Sequence, residues 1–171
     1  MAFDTFLILE GINGESTAVI QNQPLPGNQP FEIFSWSFGA SNPSTVGSGK
    51  SGLSAGKVNV SSFSVMKKTE DASPQLFMNC CTGQHVDRAS VIMRKAAGKD
   101  NKQMTFIQYD FTHVMVDSIQ WSGHAGGDDT PMESISFAFA TVQITNYKQN
   151  EKTGAMAKGS GASWDLTKVH A

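Results

Sequence analysis

The sequence predicts an all-β domain, a β barrel or two packed antiparallel sheets, with one short α-helix at about residues 73–82 on its flank. Three observations point there. Apolar and polar residues alternate in several short runs, most clearly in Glu32-Ile33-Phe34-Ser35-Trp36-Ser37-Phe38-Gly39, with the period of two that strands require. Clusters of Gly, Pro and Asn separate these runs, as turns do. One segment alone carries both a helix start and a helix stop signal. At 171 residues the chain reads as a single domain, 1–171, able to bury roughly 70% of its unfolded surface.

The elements follow in order. Thr5-Phe6-Leu7-Ile8-Leu9 is apolar on both faces, which predicts an interior strand, and Gly11 and Asn13-Gly14 end it. A loop over 21–30 follows, where Pro24, Pro26 and Pro30 oppose ladder pairing. The aromatic run 32–39 is expected to be one strand. Phe34, Trp36 and Phe38 share a face that forms structural core, and Ser35 and Ser37 share the opposite, small and polar one. A Gly/Ser-rich arm spans 39–56. Lys57-Val58-Asn59-Val60 resumes a strand, and the apolar phase changes at Ser61-Ser62 before Phe63 and Val65, a sign of a bulge or bend.

The helix is expected from Ser73 as N-cap and Pro74 in the first turn to Gly83 as a left-handed stop. Leu76 with Cys80 and Phe77 with Cys81 are spaced to bury most of one side. Strands are expected at 90–94, 104–112 and 113–121, and a turn at 123–129. Ile135, Phe137 and Phe139 are apolar at odd positions but Val142 and Ile144 at even ones, so the strand there bends or carries a bulge. Residues 148–161 read as a mobile loop ahead of Trp164-Asp165-Leu166.

Composition narrows the function. A net charge of −2 lacks the basic footprint of a nucleic-acid binder. No apolar run approaches the roughly 20 residues of a membrane-spanning helix. The first residues lack the basic and apolar regions of a secretory signal, so the chain is expected to fold in the cytoplasm and to leave, if it does, by another route.

Sites for chemistry are sparse. Gly47-Ser48-Gly49-Lys50-Ser51 resembles a phosphate loop, but Ser44 stands where the first glycine belongs and no helix can start in Gly52-Leu53-Ser54-Ala55-Gly56. His85, His113, His124 and His170 are scattered, and no Gly-x-Ser-x-Gly lies between a strand and a helix. Cys80 and Cys81 are expected to be two buried thiols, because adjacent cysteines in a helix do not meet disulfide geometry and zinc would need two more ligands. Asp128-Asp129 reads as a turn rather than a cation site, and Asn59-Val60-Ser61 as a strand rather than a glycosylation site. No catalytic residue, cofactor or metal is expected. What remains is a smooth sheet face bearing Ser35 and Ser37, and an arm suited to meeting other copies of the chain.

The sequence also resembles a known family from near its start to near its end. The matching pieces are Phe6 to Gly14-Glu15-Ser16, then Ser35-Trp36-Ser37-Phe38-Gly39, then Ala55-Gly56-Lys57-Val58-Asn59-Val60. After them come Ser73-Pro74-x-Leu76 with Cys80-Cys81-x-Gly83, then Arg94-Lys95-Ala96, Phe139-Ala140-x-Val142 and Trp164-Asp165. In this order and spacing they resemble the haemolysin-coregulated protein (Hcp) family, inner-tube subunits of bacterial type VI secretion systems. Phe38 stands where the family often has a second tryptophan.

The resemblance implies a β barrel with a flanking helix that closes into homo-hexameric rings. Stacked rings form a hollow tube, driven out by a sheath with a spike (VgrG-like) protein at its tip, and effector proteins ride inside. On that basis Ser35 and Ser37 are expected to face the lumen and an effector, and the arm, around Ser48, Gly49, Lys50 and Ser51, to stack ring on ring. The subunit is expected to assemble in the bacterial cytoplasm and then be secreted without a signal peptide. It would be no enzyme and would bind neither nucleic acid nor a membrane interior. The competing readings are a stand-alone β-sandwich module binding a ligand or a protein, and a small hydrolase with dispersed catalytic residues.

Overall fold

The computed structural model describes residues 3–46, 53–97, 102–126, 130–150 and 152–168. Its elements are β1 (Asp4–Leu9), β2 (Phe31–Ile33), β3 (Ser35–Ser37), β4 (Ala40–Ser41), β5 (Ser44–Val46), β6 (Leu53–Ala55), β7 (Asn59–Val60), β8 (Phe63–Lys68), α1 (Ser73–Thr82), β9 (His85–Ala97), β10 (Lys102–Ser122), β11 (Met132–Ala138), β12 (Thr141–Gln149) and β13 (Met156–Asp165). The protein is mainly β and its ladders are antiparallel. The main sheet runs β2-β1-β9-β10-β11-β8-β3, with β12 beside β10 and β13 beside β12.

β10, 21 residues long, is the spine. It pairs with β9 along most of its length, with β12 over its first half and with β11 over its second. Its two halves, expected as separate strands, are continuous. The break between them is a backbone irregularity at His113, whose φ of 49° puts a non-glycine residue in the left-handed region, while the register with β9 is kept across it. Tyr109 and Phe111 point into the core before it, and Val114 and Val116 after it, so the inward parity changes there. Phe139 and Ala140, which divide β11 from β12, lie opposite the same break. The parity change expected between Phe139 and Val142 is therefore real, and it has a partner across the ladder.

The first and last strands of the sheet path, β2 and β3, are consecutive in the chain and separated only by Phe34. The sheet thus rolls until its ends meet, and the join is made by the chain rather than by a ladder. This corrects two expectations. Residues 32–39 are not one strand: β2 pairs with β1 and β3 with β8. Nor is Phe34 core, being 53% exposed. Phe31 and Ile33 point inward from β2, and Trp36 inward from β3, a step of three residues that leaves Phe34 and Ser35 both outside. The Phe34 N–H donates to the Met66 carbonyl at 2.9 Å, which fixes the crossover.

The main core lies inside the roll and is built on Leu7, Phe31, Phe63, Val91, Phe111 and Ile135. Trp36 and Phe38 are half-buried at its edge. The Trp36 ring stacks on Phe63 at 5.7 Å, and Phe38 meets the rings of Phe63, Tyr109, Phe111 and Phe139. Burial pushes the Tyr109 phenol above its ordinary pKa, so it serves this cluster as a neutral ring. A second apolar layer lies outside β1 and β9, where Ile20 and Leu25 of the loop cover Phe6, Ile8 and Ile92. That is why β1 is apolar on both faces.

Two segments read as irregular are strands. The described residues of 39–56 belong mostly to a two-stranded ribbon, with Ala40 opposite Val60 and Ser44 opposite Ala55. Residues 148–161 belong mostly to the hairpin of β12 and β13, whose turn is tied by Asn150.

The helix has its expected length and its left-handed stop at Gly83, φ 68°. Its cap differs: Ala72 is the N-cap, and Ser73 is buried inside the first turn with its hydroxyl donating to Glu133 at 2.9 Å. Burial follows Ser73, Leu76 and Asn79, leaving Phe77 outside, Cys80 half-buried and Cys81 exposed, which corrects the expectation of two buried thiols.

Ser73 belongs to a buried polar network that composition gave no sign of. Lys67 on β8 and Glu133 on β11 are directly paired across the ladder, point inward and have no exposure at all. The Lys67 ammonium lies 2.6 Å from Glu133 Oε1 and 2.6 Å from Glu70 Oε1, donates to the Lys68 carbonyl, and sits 5.0 Å above the Phe31 ring. Glu133 Oε2 accepts from Trp121 Nε1 at 2.8 Å.

Lys67→Met strands Glu133 in the core and should cost about 3–5 kcal/mol in urea denaturation. Adding Glu133→Leu should recover part of that loss, since the only carboxylate then left without Lys67 is that of Glu70, which reaches solvent. A cost under about 1 kcal/mol for the single change would show that the pair does not anchor the sheet. Trp36→Ala, which removes a ring stacked on Phe63, should cost about 3 kcal/mol in the same assay.

Candidate functional site

The feature that sets this surface apart is the outer face of β3, β8, β11 and β10. Residues directly opposite one another in a ladder project to the same side. Ser37 lies opposite Ser64, Ser64 opposite Ser136, and Ser136 opposite Ser118. Four strands therefore place four serines in one row. The next outward row is Ser35, Met66, Ser134 and Gln120. Between the two, and pointing inward, runs Trp36, Val65, Ile135 and Ile119.

The face is hydroxylic, and its backing is apolar. Ser35 and Ser37 are exposed, while Ser64, Ser118, Ser134 and Ser136 are half-buried. Ser64 and Ser136 share a hydrogen bond at 2.9 Å. Neither row holds a charged residue. Charge stands only at the margins, where Ser62 donates to Asp117 at 2.5 Å and the Lys68 ammonium lies 5.6 Å over the exposed Phe34 ring.

Of the residues singled out in the sequence, Ser35 and Ser37 lie on this face, with Trp36 beneath it. Phe38 packs inward beside Trp36, and Phe34 stands exposed at the margin. Ser48, Gly49, Lys50 and Ser51 lie outside the described residues, as do His170 and Asp128-Asp129. Sequence reasoning missed Ser64, Ser118, Ser134 and Ser136. The signal was present in Ser62-Phe63-Ser64-Val65 and Ser134-Ile135-Ser136-Phe137, which repeat the alternation of Ser35-Trp36-Ser37.

A second polar cluster lies elsewhere on the sheet. Ser90 donates to Asp110 at 2.6 Å, the Gln108 amide bonds both Asp110 oxygens, and Tyr147 donates to Gln108 at 3.3 Å. Burial, and then the Asp110 charge, push the Tyr147 phenol up. No histidine takes part in these hydrogen bonds, so the cluster does not form a nucleophile with its base. Among the described residues, no three of His, Cys, Asp and Glu converge as metal ligands would. The serine face offers hydroxyls and an amide on a firm sheet; it can contact another surface but has no group to activate a bond.

Comparison with known proteins agrees with this chemistry. Residues 6–146 match the family described as "Type VI secretion system effector, Hcp". The chain is 33% identical over 103 residues to Protein hcp1 of Pseudomonas aeruginosa, a match over 60% of this chain and 61% of that protein, so the alignment spans less than two thirds of the relative. Among solved structures, a type six secretion system protein is similar with a TM-score of 0.84 and 33% identity, covering 97% of each chain. Hcp1 from Salmonella typhimurium is similar with a TM-score of 0.72 and 28% identity, covering 98% of this chain and 97% of that one. A match over so much of the sequence, on a fold similar end to end, settles the family: the chain belongs to the Hcp proteins of type VI secretion, which are structural secretion-system components rather than enzymes.

Proposed function

We propose that this protein is the wall subunit of a type VI secretion tube, that six copies close into a ring, and that rings stack into a hollow tube with the serine face turned to the bore. The observation that carries the proposal is the pair of charge-free rows, Ser37-Ser64-Ser136-Ser118 and Ser35-Met66-Ser134-Gln120, on one face of a sheet backed by packed aromatic and aliphatic rows. Such a wall meets a passing effector with short hydroxyls and holds no charge that would trap an oppositely charged chain. Effectors held in the bore, a sheath around the tube and a spike at its tip are the partners. The subunit assembles in the bacterial cytoplasm and leaves with the tube.

A head-to-tail contact uses two unlike patches and yields a ring when its rotation closes. Size exclusion with light scattering at micromolar protein should give the mass of a closed hexamer. A monomer over that range would instead favour a stand-alone β-sandwich binding module. Ser37→Gln adds bulk toward open space, so the ring should persist while co-purification of an effector falls several-fold. Unchanged effector retention would remove Ser37 from the binding surface. Replacing residues 42–57 with a short turn should leave hexamers intact and abolish long tubes in electron micrographs, because the residues at its base, Asn42 to Ser44 and Gly56-Lys57, are exposed. If the deletion unfolds the subunit, the ribbon is part of its core.

A further inference from the structure

We propose that the pocket between the loop after β1 and the strands β10 and β12 is a binding site for a single neutral sugar ring. Its volume of about 130 Å³ has room for roughly four waters, and is too small for a peptide segment. The polar lining consists of amides and hydroxyls: Gln21 and Asn22 from the loop, Gln103, Thr105 and Gln108 from β10, and Tyr147 from β12. Met104 and Met156 add two thioethers, and none of the described lining residues is charged. The loop wall is clamped on both sides of Gln21 and Asn22. Arg94, opposite Thr105 in the ladder, donates to the Val19 carbonyl at 2.8 Å and lies 4.5 Å over the Phe6 ring. Ile20 and Leu25 are buried against Phe6, Ile8 and Ile92, and Gln23 donates to the Leu25 and Asn28 carbonyls. Asn22 itself turns the chain with a φ of 55°, a left-handed conformation that asparagine tolerates better than most residues.

The strand wall has a fixed hydrogen-bond polarity. The Asp110 carboxylate accepts from the Gln108 amide at both oxygens, 3.0 and 2.8 Å, and from Ser90 at 2.6 Å. This sets which way the Gln108 amide faces, with its nitrogen toward Asp110 and its oxygen away. That oxygen accepts from the Tyr147 hydroxyl at 3.3 Å and keeps a second lone pair. The Tyr147 oxygen, its proton committed to Gln108, is left as an acceptor as well. Two adjacent acceptors call for hydroxyl donors. Charged ligands fit less well. An ammonium group needs a carboxylate, and both Asp110 oxygens are already engaged. An anion would enter the field of Asp110, the same charge that, after burial, pushes the Tyr147 phenol up. A sugar carries several hydroxyls for the amides, which donate and accept, and an apolar C–H face for the Tyr147 ring and the methionines.

The test is a titration of the full-length protein, in whatever assembly it adopts, with glucose, galactose, mannose and N-acetylglucosamine. Binding is read by saturation-transfer NMR, with acetate and choline as charged controls. At least one sugar should bind with a Kd on the order of 1–10 mM, and neither control should. Tyr147→Phe keeps the ring and removes the hydroxyl, while Asn22→Gly keeps the left-handed turn and removes the amide. Each should weaken binding roughly threefold to tenfold, the usual effect of one hydrogen bond, with the unfolding midpoint held within a few degrees. The methyl glycoside of the bound sugar separates two sources of the same chemistry. Equal binding assigns the end of a glycan chain, weaker binding assigns the free sugar, and both uphold the site. Silence from all four sugars would overturn it. So would full-strength sugar binding in either variant, or acetate or choline bound in preference to the sugars.

Discussion

Lys67 and Glu133, 2.6 Å apart and wholly out of solvent, set the position of almost everything around them. Through Glu133 they hold Ser73 at the start of the helix and Trp121 at the end of the longest strand. Through Glu70 they reach the loop after β1, because Glu70 Oε2 accepts from the Glu15 N–H at 2.8 Å and Glu15 in turn accepts from the Asp71 N–H. Such a pair adds little net stability over a well-packed apolar substitute, since removing two charges from water offsets most of their attraction. Its contribution is register. A slip of one residue between β8 and β11 would leave a buried charge alone, and alternation would turn the strand's whole apolar set to the other face.

That register also builds the serine face. Lys67 opposite Glu133, Met66 opposite Ser134, Val65 opposite Ile135 and Ser64 opposite Ser136 are successive rungs of one ladder. Fixing the first rung fixes the fourth. The inward rungs carry charge and hydrocarbon, and the outward ones carry mostly hydroxyls. On the inner side, Trp36 and Phe38 spread over Phe63 and Tyr109 and make the edge strand firm, although β3 is only three residues long. The tube wall proposed above would need this combination, rigid within and without sticky groups on its surface.

Much of this was legible in the sequence, because alternation reports faces directly. The fold class, the single helix with its Gly83 stop, the two-faced β1 and the parity change after Phe139 followed from local pattern, and the family from the order of short motifs. Parity alone failed where the chain changes partners. Nothing in Ile33-Phe34-Ser35 says that β2 belongs to β1 and β3 to β8, so Phe34 counted as core. Glycine-rich residues misled in the ribbon and in β13, where small side chains permit close strand approach instead of disorder; a Cβ on Gly161 would lie 3.2 Å from the Ile144 carbonyl oxygen. The buried pair was invisible because Lys67-Lys68 and Glu133 look like surface residues until the ladder sets them opposite each other. The serine rows escaped for the same reason, being alignments across strands distant in sequence.

The central claim is that the register held by the buried pair turns a row of serines to the inside of a tube. An electron cryomicroscopy reconstruction of the purified assembly tests it most directly. The account predicts a ring with an open axial bore, and Ser37, Ser64, Ser136 and Ser118 on its inner surface. A ring in which these serines face outward, or lie buried between subunits, would contradict it.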